Sequence, residues 1–442
     1  MMKKITYFIT GGLLFLSQTL FAQTEEVPAL NSGNTAWILA ATMLVMLMTL
    51  PGLAFFYGGM VRRKNVLSVM MQCVVLTAVI TVEWIIYGYT AVFGTSFQGG
   101  WFGEIVGGMD KFFLYGIDKD ALTSGNIPEV LFALFQCKFA VITPALIVGA
   151  FAERIKFSGF LLFSVLWAIF VYNPMAHWVW GGGWMQQMGA IDFAGGTVVH
   201  INAGISALVM AVMLGKRKGY GTSMMIPHNI PFVVLGTALL WLGWFGFNAG
   251  SGLSADGLAA NAFLVTHLAT SVAATTWMTL EWILNKKPTV IGICTGAVAG
   301  LVAITPAAGT VDAMGSLFIG LFSAIVCYTF VAYIKPKLKY DDSLDAFGVH
   351  GVGGFVGAIL TGVFATQFIT GDGGQQGALY GDWHQLGVQA VVNLTAVVFS
   401  AVMTFILFKI VDKTVGLRVP VQHEEIGLDI SQHGEIGYGD NE

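Results

Sequence analysis

Two histidines occupy related settings far apart in the chain. Asp192-Phe-Ala-Gly-Gly-Thr-Val-Val-His200 and Asp345-Ala-Phe-Gly-Val-His350 each set a carboxylate ahead of an imidazole among glycines, with Asp-to-His spacings of eight and five. Asp192, Gly196 and His200 fall at i, i+4 and i+8 and share one helix stripe. Gly195, Gly196, Gly204, Gly351, Gly353, Gly354 and Gly357 would let two such helices come close. Two neutral imidazoles could then meet, one nitrogen donating and the other accepting, and relay a proton near physiological pH. The pair suits a purely structural interhelical bond equally well. Asp192 could bind a cation directly. A lone buried carboxylate that opens a helix is more often a cap for backbone N–H groups, so it is expected to support an outer cation site structurally.

Aromatic residues form a second constellation. Phe135-Gln-Cys-Lys-Phe139 puts two rings at i and i+4, three glycines follow Trp180, and Trp244-Phe-Gly-Phe247-Asn-Ala-Gly-Ser251 ends another apolar run. Interfacial belts explain such residues in many membrane proteins. A ring of π faces plus a hydroxyl is also a way to hold a small cation without a carboxylate. His177, His228, His267 and His384 lie near span ends or outside glycine-rich settings and read as structural. The four cysteines sit in apolar stretches without metal-ligand spacing, so neither a metal nor a cofactor is expected.

The elements that must position these groups are membrane helices. The 442 residues are 56% hydrophobic and only 10% charged, against roughly 25% charged in soluble domains. A net charge of −4 argues against nucleic acid. Lys3 and Lys4 precede an apolar run, and residues 1–22 read as a cleaved signal peptide. Eleven windows long enough to cross a bilayer follow, near 34–57, 65–93, 127–151, 158–179, 192–214, 228–250, 257–284, 289–306, 312–334, 345–369 and 383–411. Basic residues cluster after the odd-numbered spans, from Arg62-Arg63-Lys64 to Lys409, Lys413 and Arg418. That face is expected to be cytoplasmic, with the mature N-terminus outside. The two His segments open spans five apart, which enter the membrane from opposite faces. The fold class predicted is therefore an all-α polytopic membrane protein, a 5+5 inverted repeat with an eleventh helix. Residues 23–411 form the membrane domain, and 412–442 a polar cytoplasmic tail.

Glu83 and Lys138 are charges at membrane depth, each costing about 2.5–3.5 kcal/mol if left alone. Both fall in the outer half of the membrane on consecutive spans, so they are expected to pair, directly or through one water, away from the pore or at a subunit contact.

Several segments resemble the ammonium transporter (Amt/Rh) family, Amt branch. They are Ile142-Thr-Pro-Ala-Leu-Ile-Val-Gly-Ala-Phe-Ala-Glu-Arg154, Asp192 to His200, Gly243-Trp-Phe-Gly-Phe-Asn-Ala-Gly-Ser251, Phe347-Gly-Val-His-Gly351 and Val415-Gly-Leu-Arg-Val419. The resemblance runs in order from about residue 34 into the tail. It implies ammonium transport in a bacterial inner membrane by a homotrimer with one pore per subunit. It further implies an external ammonium site at Phe135, Trp180 and Ser251, a stacked gate at Phe139 and Phe247, and twin pore histidines at His200 and His350. The tail around Gly427-Leu-Asp-Ile-Ser-Gln-His433 implies regulation by a PII-type nitrogen-signalling partner. Two other classes remain. A sodium-coupled carrier would need a matched pair of unwound helices, and a signalling sensor would favour an attached domain. Nucleophile elbow, zinc and phosphate-loop motifs are lacking, so an enzyme is not expected.

Overall fold

The computed structural model describes residues 29–439, and the signal-peptide expectation for 1–22 lies outside the described residues. In lipid a long apolar segment satisfies its backbone only as a helix or a closed barrel. Here the helices are Ser32–Met60, Arg63–Phe93, Glu129–Phe151, Phe157–Gln187, Gly196–Leu214, Ile230–Gly250, Gly257–Asn285, Val290–Ile304, Ala313–Leu338, Phe347–Phe364 and Trp383–Thr414. Ten are long and apolar enough to cross a membrane, and the eighth has only 15 residues. Ten coincide with the expected windows to within about five residues, and the fourth runs on to Gln187, past its expected end near 179. Between spans two and three, short helical turns at Trp101–Glu104 and Phe112–Leu114 precede a tiny hairpin that pairs Thr123 with Ile127.

The third span sits at the centre of the bundle, and from Leu131 to Phe151 almost every residue is buried. The loops after spans one, three, five and nine meet in one buried ion network. Arg62 pairs with Glu153 at 2.6 Å, and Arg217 bridges Glu153 at 3.2 Å and Asp341 at 2.8 Å. Burial opposes ionisation of Glu153, but Arg217 and Arg62 outweigh it and hold its carboxyl below the usual range. Asp341 is likewise opposed by burial and held low by Arg217. These contacts gather the basic loops on one face of the bundle.

The polar tail is docked against the bundle: Leu428 and Asp429 are buried, and the Asp429 carboxylate accepts from the backbone N–H groups of Leu67 (3.1 Å) and Ser68 (2.7 Å) at the start of span two. Glu424 accepts from Arg418 and from the Lys218 backbone. One expectation needs correction: Glu83 and Lys138 form no direct ion pair. Asn173, from span four, donates to Glu83 Oε1 at 2.8 Å, and no ion pair joins Lys138 to any carboxylate among the described residues. Sequence depth alone placed the two charges level; the packing turned Glu83 toward span four.

Candidate functional site

Each histidine is set by a carboxylate that caps its helix. Asp192 Oδ1 accepts from Gly195 (2.9 Å) and Gly196 (2.5 Å), and Oδ2 from Thr197 (2.8 Å) and Val198 (3.0 Å). Its two oxygens are fully engaged in stabilising the otherwise unpaired N–H groups of that helix start. In span ten the same job falls to Asp342, which accepts from Ala346 (3.1 Å) and Phe347 (2.8 Å). Asp345, the carboxylate that the sequence comparison aligned with Asp192, instead pairs with Lys335 at 2.5 Å. Asp-to-His spacing is therefore eight in both spans, which tightens the inverted repeat. The glycine four residues past each histidine completes the match. A Cβ on Gly204 would stand 2.0 Å from the Gly351 nitrogen, and one on Gly354 would stand 2.8 Å from the His200 Cβ. Each helix thus packs its bare backbone on the other's histidine turn.

The outcome is a close, nearly parallel pair of imidazoles, His200 and His350, with ring centroids 5.4 Å apart and planes 16° apart. Both are buried. The expected hydrogen bond between them does not form: neither nitrogen of His200, nor Nδ1 of His350, has a protein partner. Buried polar atoms in native proteins are nearly always paired, so these three nitrogens leave hydrogen-bonding capacity open to a ligand. Phe247 lies 6.2 Å from His200 and stacks on Phe139 at 4.3 Å. Beyond Phe139 come Phe135 at 5.1 Å and Trp180 at 5.9 Å, both edge-on. Ser251, one turn past Phe247, donates its hydroxyl proton to the Phe247 carbonyl at 2.8 Å. The Trp180 indole N–H is spent on the Asp192 carbonyl at 2.8 Å. What remains for a ligand is therefore the lone pairs of Ser251 and the π faces of Phe135 and Trp180, a set that suits a hydrogen-bond-donating cation.

The ammonium transporter family model matches residues 36–438. An ammonium transporter of Bacillus subtilis is 48% identical over 413 residues, covering 93% of this chain and the whole of that protein. The chain belongs to the ammonium transporter family. It also resembles the crystal structure of Saccharomyces cerevisiae Mep2, with a TM-score of 0.85 and 34% identity over 93% of this chain and 92% of that one. A solved structure described as a sensor Amt protein matches at a TM-score of 0.82 and 31% identity, over 91% and 98% of the two chains. This is a family of membrane transporters, not of enzymes.

One residue of this family member's site went unassigned at the sequence level. Trp244 stacks on His200 with centroids 5.4 Å and planes 18° apart, and its indole N–H is tied to Thr305 at 2.8 Å. It is thus a wall of the His200 pocket. Its position three residues before Phe247, on the same helix face, was the available signal.

Proposed function

We propose that this protein carries ammonium nitrogen across a bacterial inner membrane through the file of residues from Ser251 to His350. Ammonium is held outside by the faces of Phe135 and Trp180 and by the Ser251 oxygen, which accepts from its N–H. The stacked Phe139 and Phe247 close the path to hydrated ions. An ion in the apolar lumen behind them faces an idealised Born penalty of about 20 kcal/mol, so to proceed ammonium must give up a proton, either back to water on the outer side or to an imidazole of the histidine pair. Potassium, which has no proton to shed, stays out. The nitrogens of His200 and His350 then receive ammonia and hold it by hydrogen bonds.

The observation that carries this reading is the pair of buried imidazoles, free of protein partners, directly behind a stacked phenylalanine pair. By the positive-inside rule the network face is cytoplasmic. The family resemblance supports a homotrimer and a PII-type partner at that face. Reconstituted into liposomes, the protein should pass methylammonium but not potassium. Replacing His200 and His350 together by leucine should abolish that flux or let potassium through. Unchanged flux and selectivity in the double variant would overturn the assignment.

A further inference from the structure

Away from the pore, spans two and four share a polar contact that lacks a hydrogen. The Asn173 amide donates to Glu83 Oε1 at 2.8 Å. The other two oxygens, Glu83 Oε2 and Asn173 Oδ1, are buried and have no donor at all. Both lie beside Gly88: a Cβ there would stand 3.1 Å from the first and 3.3 Å from the second, and 2.8 Å from the Trp84 ring. A carboxylate and an amide oxygen both only accept. Gathered in one apolar site, they are one donor short, which a proton on the carboxyl would supply.

The surrounding groups do not fill it. From span two, Tyr87 lies a turn further on. From span three, the Cys137 thiol lies 3.5 Å from the Thr81 hydroxyl as its donor, and Lys138 makes no ion pair. From span four, the Tyr172 hydroxyl is itself without a partner and does not reach Glu83. No cation neutralises Glu83, and inside a membrane an unpaired carboxylate takes up a proton sooner than it stays charged.

We propose that Glu83 is a proton-binding site separate from the conduction path, a neutral carboxylic acid whose O–H is shared with Asn173 Oδ1. Amide and acid then close a two-hydrogen-bond ring, Asn173 donating through Nδ2 and Glu83 through Oε2. Gly88 leaves the space in which that ring sits. The inference stands independently of the transport reading, because none of these residues touches the histidine file.

Infrared spectroscopy of the full-length protein in lipid tests it. At neutral pH a carboxylic C=O stretch should appear above the amide I band, vanish in Glu83→Gln, and shift to higher frequency in Asn173→Leu, where the acid carbonyl loses its donor. Glu83→Gln should keep methylammonium flux, since its amide can donate where the acid did. If Glu83→Gln fails to fold, the Asn173→Leu difference spectrum decides alone, a shift supporting the acid and its absence refuting it. Loss of a carboxylate band, rather than an acid band, in Glu83→Gln would overturn the proposal. It would mean that a water or a cation occupies the gap between the two oxygens.

Discussion

Gly204 and Gly354 seat the two histidine helices on each other, and single atoms there decide whether the two imidazoles can meet. A methyl group on Gly204 would sit 2.0 Å from the Gly351 nitrogen, inside any possible contact distance. Gly204→Ala should therefore cost at least about 1–3 kcal/mol, the scale of overpacking a tight core. It should also lower flux by forcing the histidine helices apart. A thermal unfolding scan and a methylammonium assay check both, and a variant with normal stability and flux would show that the helices part without consequence. Asp192 acts at the same scale. Asp192→Ala strands four backbone N–H groups and should cost at least about 2 kcal/mol. Asp192→Asn, which keeps one acceptor oxygen, should recover part of that loss in the same scan.

At the scale of elements, the ion network couples four loops and makes stability depend on acid. Glu153 and Asp341 titrate below the ordinary carboxylate range when folded. Their contribution is fully present above the unfolded value of about 4 and is lost as pH falls through the lower folded values. Unfolding temperature in detergent should thus hold steady for this term from neutral pH downward and drop only below about pH 4. Asp341→Asn leaves Arg217 with half its partners. It should destabilise by about 3 kcal/mol, at the low end for a broken buried pair, and soften the acid drop. An unchanged acid midpoint would remove Asp341 from the network's energetics. Span positions were legible in the sequence because bilayer thickness imposes a length on each apolar run. The phenylalanines and histidines were legible through their spacing and family motifs. Asp342 was not, because Asp341, Asp342 and Asp345 crowd one loop and only the folded chain shows which one reaches the N–H groups. Glu83 was read by depth, but its partner is chosen by helix rotation, which a nearly uniform apolar surface does not reveal.

For the molecule as a whole, the docked tail ties the segment around Asp429 to the start of the second span. Truncation after about Val419 should leave the bundle folded but less stable by about 1–2 kcal/mol, because the Asp429 cap on Leu67 and Ser68 is lost. The same truncation should abolish binding of a PII-type protein in a pull-down; retained affinity would move that interface to the pore-mouth loops. The duplicated Asp, His and Gly pattern has a consequence at this scale too. In the proposed passage, two helices that enter from opposite faces, each capped eight residues ahead of its histidine and each seated on the other's glycine, would present the same imidazole and backbone to a molecule arriving from either end, with only the Trp244 and Phe247 rings beside His200 setting the two sides apart. The histidine pair itself would then not rectify. Any preference for inward over outward movement has to be set at the mouths, where the halves diverge: Trp180 and Ser251 at one end, the charged loops and the tail at the other. Exchanging mouth residues should then change the ratio of influx to efflux while leaving selectivity at the centre intact.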